Sequence, residues 1–279
     1  MKQDFRVIFW GVRGSRAVPG PETVIFGGNT PCVEVRAGGK IIIFDAGTGI
    51  CNLGNQMTKH GTLEADIFIT HTHWDHIQGF PFFTPAFDPG NSFRLYGQGK
   101  LECSFADLMR FQMEPPNFPV SIEQMGAKIS FYELDNYDRV DLGGGVIVTC
   151  APTNHPNGCI AYRVDYAGKS CCYISDNEHY SIVDPHLREF AQGSDMVIYD
   201  TNFTHEEYLG PAGFQTKVGW GHSTWQEGIR LVKAAEAKTL VLFHHATHRT
   251  DEEMLVIESQ AIEVYPDCVA AREGMELTL

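Results

Sequence analysis

The sequence predicts an α/β protein: two mixed β-sheets with helices outside them, contained in one domain spanning residues 1–279. Three observations carry this reading. Short β-rich runs recur along the chain with no linker, strict repeat or low-complexity segment between them, and helical patterns follow many of them. Polar residues of the kinds that bind metals stand where apolar runs stop.

Taken in order, the β-rich runs are "FRVIFWG" (5–11), "CVEVRAG" (32–38), "KIIIFD" (40–45), "ADIFIT" (65–70) and "SFRLYG" (92–97). They continue with "GVIVTCAP" (145–152), "IAYRVDYAG" (160–168), "KSCCYISD" (169–176), "DMVIYD" (195–200), "KTLVLFHH" (238–245) and the terminal "MELTL". Their β-branched and aromatic content, bounded by Gly, Pro, Asn or Asp, is what a pleated, buried surface selects. Helices are expected near 101–113, 181–192, 223–236 and 250–263. The third opens on a capping box, either Ser223 with Gln226 or Thr224 with Glu227. Residues 80–119 are rich in Phe, Met and Pro and read as a packed insertion with a small core of its own. A lid, an aromatic wall for a base, or a dimer surface are the functional alternatives for that segment.

Bulk composition narrows the partners. The chain is 43% hydrophobic and 20% charged, enough to bury a sizeable core, and its formal net charge is −14. Such a surface repels long nucleic acid, while a local cationic site still attracts a small anion. The start lacks the pattern of a secretory leader and no apolar stretch approaches a membrane span. None of the eight cysteines forms a C-x-x-C pair, so they read as small buried hydrophobes of a cytoplasmic protein.

The stretch "FITHTHWDHIQG" (68–79) carries the chemistry. Alternate residues in an extended segment point the same way, so His71 and His73 can grip one ion. Asp75 and His76 then turn toward a second. Other strand ends supply Asp45, Asp176, Asp200 and His244, and His155 follows "GVIVTCAPTN"; converging strand ends make the usual crevice of an α/β site. Imidazole and carboxylate without thiolate suit zinc, with manganese and iron as alternatives. Two such ions lower the pKa of a shared water and yield a bridging hydroxide nucleophile, which describes a hydrolase.

Asp45 in "FDAGTG", "HTHWDH", His155, Asp176 in "YISDNEH" and His244 in "VLFHH" together resemble the metallo-β-lactamase superfamily over nearly the whole chain. The resemblance implies a four-layer αββα sandwich with two metals in its cleft. It implies that His71, His73 and His155 hold the first metal, that Asp75, His76 and His244 hold the second, and that Asp176 bridges both. Asp45 takes the place of the family's buried orienting carboxylate, and His245 is the alternative to His244.

"GHST" followed by a helix resembles the branch containing RNase Z and small cyclic-nucleotide phosphodiesterases, as does the N-terminal "WGVRGSRAVPGPETVIFGGNTPCVEV". A histidine before a helix N-terminus sits where phosphate is attracted. His222 is thus expected to stabilise the transition state or protonate the leaving oxygen, with Asp200 orienting it and Asp75 serving catalysis at the metals. Arg13 or Arg16 is a phosphate contact or, more simply, a solvated loop arginine. His179, His205 and His248 read as surface residues, His248 with a chance of lining the pocket. The expected activity is a dinuclear phosphodiesterase acting on a small phosphodiester such as a cyclic nucleotide. The alternatives are an RNase Z-like tRNA endonuclease, a thioester or lactone hydrolase, and a non-catalytic metal-stabilised binding module. A homodimer is expected by analogy with the resembling phosphodiesterases.

Overall fold

The computed structural model describes residues 5–210 and 215–279. Its first seven-stranded sheet is built from β1 (Phe5–Gly11), β2 (Cys32–Ala37), β3 (Lys40–Phe44), β4 (Glu64–Phe68), β5 (Ser92–Gly97) and β6 (Lys128–Glu133), with β14 (Glu276–Thr278) on the far edge; the order is β14-β1-β2-β3-β4-β5-β6. The second contains β7 (Arg139–Gly143), β8 (Val146–Thr153), β9 (Cys159–Tyr166), β10 (Lys169–Ile174), β11 (Met196–Asp200), β12 (Thr239–Phe243) and β13 (Cys268–Ala270), in the order β13-β12-β11-β10-β9-β8-β7. In the first sheet, β14 through β3 pair antiparallel and β3 through β6 pair parallel. The second repeats that scheme, antiparallel from β7 to β10 and parallel from β10 to β13.

The period of two along each strand divides the core. In β3, Ile42 and Phe44 enter the cluster between the sheets, whereas Ile43 joins an outer cluster. In β12, Val241 and Phe243 face the other sheet while Leu240 and Leu242 pack outward. Strands covered on both faces read as unbroken apolar runs, which is why "KIIIF" and "TLVLF" look as they do. Outside the first sheet lie α1 (Gly49–Met57) and α3 (Phe105–Phe111), contributing Ile50, Leu53, Met57, Phe105 and Met109. Outside the second lie α4 (Pro185–Phe190), α6 (Trp225–Ala234) and α7 (Asp251–Val264). The molecule is therefore an αββα sandwich. Two short helices, α2 (Trp74–Ile77) and α5 (His205–Leu209), belong to the connections at the strand ends.

The structure corrects several sequence expectations. Strands β6, β7 and β13 and helix α1 lie outside the expected elements; in α1, "GICNLGNQM" has weak helix propensity and folds because Ile50, Leu53 and Met57 pack on the first sheet. The helices near 101–113 and 181–192 shorten to α3 and α4. Segment 80–119 has no separate core, because β5 is an internal strand and Phe80, Phe83, Phe105 and Met109 share one cluster with Ile43, Ile67 and Leu95. Arg13 is not solvated: it is fully buried and donates to the carbonyls of Gly27, Ala246 and Arg249. All eight cysteines are free, six of them buried. Among the described residues, no helix is long and apolar enough to cross a membrane.

Candidate metal centre

The polar ends of β3, β4, β10, β11 and β12 meet at one edge of the sandwich. Each of these strands lies in the parallel part of its sheet, so their C-terminal ends share a side. Asp45 directly follows β3 and His244 directly follows β12, both at φ 59°, in the left-handed region that non-glycine residues avoid. Glycine makes the approach possible: a Cβ on Gly14 would lie 2.5 Å from the His244 ring, and one on Gly221 would lie 2.4 Å from His155 Nδ1.

Asp176, after β10, lies at the centre of the cluster. Its Oδ1 is 3.2 Å from His76 Nε2 and 3.4 Å from His244 Nε2; both of those nitrogens also lie within 3.4 Å of Asp75 Oδ2. Its Oδ2 is 3.7 Å from His155 Nε2 and 3.9 Å from His71 Nε2. The two carboxylate oxygens thus face two different groups. Ligand atoms of His71, His73 and His155 lie within 4.8 Å of one another, and so do those of Asp75, His76 and His244. His245, by contrast, turns away and meets the Ala271 carbonyl through Nε2 at 2.9 Å.

The surrounding hydrogen bonds select which nitrogen each ring presents. Asp45, fully buried, accepts from His76 Nδ1 at 2.7 Å, from the Thr70 backbone N–H at 2.8 Å and from the Tyr173 hydroxyl at 2.8 Å. With Nδ1 protonated in that bond, His76 turns a bare Nε2 to the centre. His155 Nδ1 donates to the Gly221 carbonyl at 2.7 Å, which leaves Nε2 as its lone-pair nitrogen, 3.1 Å from His73 Nδ1. Asp75 Oδ2 accepts from the Ser15 N–H at 2.7 Å.

These residues fit a pair of divalent cations on their own chemistry. His71 Nε2, His76 Nε2, His244 Nε2 and Asp176 Oδ1 are buried without a hydrogen-bond partner, an expensive arrangement unless a cation completes it. Burial, followed by the neighbouring His76, holds His71 well below the usual imidazole value; burial and His155 do the same, less strongly, for His73. Neutral rings of that kind are the ones that ligate. At His76, Asp176, Asp75 and Asp45 overcome burial and raise the ring well above its ordinary pKa, so this pocket of carboxylates calls for positive charge.

Beside the cluster, His222 Nδ1 lies 2.8 Å from Asp200 Oδ2 and 3.8 Å from Asp176 Oδ2. Burial disfavours its protonation, but Asp200 and then Asp176 raise its pKa to about 9. Asp200 is held in turn by the Asn177 and Asn202 backbone N–H groups. The helix after His222 is α6, capped by Thr224, whose Oγ1 accepts from the Glu227 N–H; Ser223 instead meets His179 Nδ1 at 3.0 Å. Sequence reasoning missed Glu178, a buried carboxylate that accepts from the Gly219 and Gly221 N–H groups and the Tyr208 hydroxyl and so fixes the loop carrying His222. Only its place two residues after Asp176 hinted at it. His248 is exposed and pairs with Glu207, His205 is exposed, and Arg16 bonds the Ala17 carbonyl, so none of the three joins the cluster.

The sequence model of a family described as a beta-lactamase superfamily domain matches residues 40–245, a span that contains His71, His73, Asp75, His76, His155, Asp176 and His244. The chain belongs to this superfamily. Ribonuclease Z of Bacillus subtilis (strain 168) is 21% identical over 256 residues, covering 76% of this chain and 80% of its own. The metallo-β-lactamase fold protein YhfI of Bacillus subtilis superposes with a TM-score of 0.71 at 19% identity, over 99% of both chains. A diphosphatase of the PhnP family gives a TM-score of 0.69 at 18% identity, over 99% of this chain and 98% of its own. The protein is a hydrolase of the metallo-β-lactamase fold. Within the superfamily it is similar to the ribonuclease Z branch.

Proposed function

We propose that this superfamily member is a dinuclear metal-dependent phosphodiesterase acting on a small phosphodiester, with a cyclic nucleotide as the leading candidate. The observation that carries the reading is the Asp200–His222 pair at 2.8 Å, set 3.8 Å from the central Asp176 carboxylate. Thioester hydrolysis at the ligand cluster gives such a pair no leaving group that needs a proton, because a thiolate departs unaided. Phosphoryl transfer does, because its transition state spreads negative charge and its leaving oxygen needs a proton.

His71, His73 and His155 would hold one ion, Asp75, His76 and His244 the other, and Asp176 would face both through its two oxygens. Bound there, two divalent ions, zinc by the donor set, supply an acidified water and a Lewis-acid clamp on the phosphoryl oxygens. Asp200 Oδ2 accepts a hydrogen bond from His222 Nδ1 and leaves Nε2 as the edge that donates to substrate. Glu178 holds the 219–221 backbone, keeping both His222 and the His155 acceptor in place. Eight unpaired cysteines support placing the protein in the cytoplasm.

A second reading, tRNA 3′ processing, is supported by the likeness to ribonuclease Z. The net charge of −14 weighs against a long polyanion. The test is a panel of cyclic mononucleotides, cyclic dinucleotides and a precursor tRNA with zinc or manganese. Cleavage of a cyclic nucleotide that falls about 10²-fold or more in His222→Ala, with both metals retained, is the expected result. Cleavage of the tRNA alone transfers the conclusion to the second reading, and a variant as active as wild type removes His222 from the chemistry.

A further inference from the structure

The ligand-bearing segment 71–76 also supplies one wall of a groove of about 490 Å³, whose lining includes Thr72, Trp74, Gln78, Phe82, Phe111 and Gln112. Thr72 and Trp74 alternate in sequence with His71, His73 and Asp75, so the groove wall and the cluster are one continuous piece of chain. Its size is that of a small-molecule site. Its lining carries no charged residue.

Two features call for an occupant. Trp74 is 81% exposed, Phe82 60% and Phe111 52%, three large aromatic side chains left mostly open along one groove. Gln112 Nε2 is buried in the same groove without a hydrogen-bond partner, while Gln78 spends its amide N–H on Thr30 Oγ1 at 3.3 Å and keeps its carbonyl. Stacking faces plus an unused amide donor and acceptor suit a flat, neutral ring with polar edges far better than an aliphatic chain or a second charge. The far wall is braced, since Phe82 and Phe118 meet edge to face at 5.5 Å.

We propose that this groove seats the aromatic end of the substrate, a nucleobase or an aryl group, against Trp74 and Phe111 while its phosphoryl end reaches the ligand cluster. The proposal rests on the phosphodiesterase reading and gives that reading its substrate class. Trp74 and Phe111 are then specificity-determining residues, and Gln112 is the group that tells a nucleobase from a plain aryl ring.

The test is calorimetric binding of thymidine 5′-monophosphate, phenyl phosphate and methyl phosphate to the zinc-loaded protein, its Trp74→Leu and Phe111→Ala variants, and Gln112→Leu. The aromatic ligands should bind roughly tenfold or more tighter than methyl phosphate, the scale of one stacked ring. Trp74→Leu and Phe111→Ala should each erode that advantage and leave methyl phosphate unchanged. If Gln112→Leu weakens the nucleotide alone, the seat is for a nucleobase. If phenyl phosphate binds as well as the nucleotide and Gln112→Leu changes nothing, it is for an aryl group; either result upholds an aromatic seat. Equal affinity for all three ligands, absence of binding by any, or equal loss for methyl phosphate in the variants overturns it. So does a change from dimer to monomer in Trp74→Leu and Phe111→Ala with ligand affinities intact, which makes the face a contact between copies of the chain. Turnover of bis-p-nitrophenyl phosphate separates the two levels. Turnover without an aromatic advantage sinks the seat alone, and an aromatic advantage without phosphodiester turnover sinks the phosphodiesterase reading alone.

Discussion

Asp45 illustrates how a residue can govern the centre without reaching its middle. It is fully buried at a left-handed φ, and it binds the Thr70 N–H, His76 and Tyr173 at once. That network fixes one nitrogen of His76 so the other can face Asp75 and Asp176. Asp75 stands on the opposite footing, since its Oδ2 lies within 3.4 Å of two unpartnered imidazole nitrogens. Asp75→Ala should therefore retain one metal per chain instead of two and lose nearly all turnover. Elemental analysis alongside steady-state kinetics checks this, and a variant with two metals and undiminished activity would rule out the dinuclear mechanism.

At the scale of elements, the connections after the strands are tied down by carboxylates. Helix α5 begins with a capping box between Thr204 and Glu207, and Glu207 also pairs with His248 and Arg249 in the loop after β12. Burial opposes the Glu207 charge, but the bond from His248 and then the Thr204 backbone N–H lower its pKa to about 2. A carboxyl depressed in the folded state stabilises fully above its unfolded value of about 4.3 and loses that contribution as pH falls through the folded one. Glu207→Gln should thus cost about 1 kcal/mol or less at neutral pH, the scale of a surface ion pair. The gap between variant and wild type should close between about pH 4.3 and pH 2. Urea titrations across that range read it directly, and a gap that stays constant to pH 2 would contradict the pairing.

Over the whole molecule, the centre sits at one edge of two sheets that pack face to face over a largely apolar core. Phe44 of the first sheet stacks on Tyr162 and Tyr173 of the second at 5.4 and 5.1 Å, directly beneath the Asp45–Tyr173 hydrogen bond. Phe44→Ala should cost about 3–5 kcal/mol by emptying a sealed position, seen as a lowered denaturant midpoint with unchanged slope. Ligand-type residues come from both sides of the sandwich, His71 through His76 from the first sheet and His155, Asp176 and His244 from the second. Metal bound there clamps the layers, and saturation at a thousand times Kd adds about 4 kcal/mol per ion. Scanning calorimetry should show the melting temperature fall on chelation; an unaltered melt would mean that these donors do not hold an ion.

The sequence by itself determined the fold class and the identity of the polar cluster. Apolar runs such as "KIIIF" and "TLVLF" follow from strands buried on both faces, and ligand-type residues at their ends need no distant information to be noticed. The same local logic located His222 ahead of a helix. It failed wherever an element owes its existence to a distant partner. Helix α1 forms against a sheet despite weak propensity, and β6 takes its place by pairing with β5. Only the tertiary structure decided between His244 and His245, which are adjacent in sequence but point to Asp75 and to the Ala271 carbonyl. It also buried Arg13, revealed Glu178 behind the His222 loop, and opened the uncharged groove at Trp74. Each of these depends on which groups from far along the chain come within a few ångströms, and local pattern carries no record of that distance.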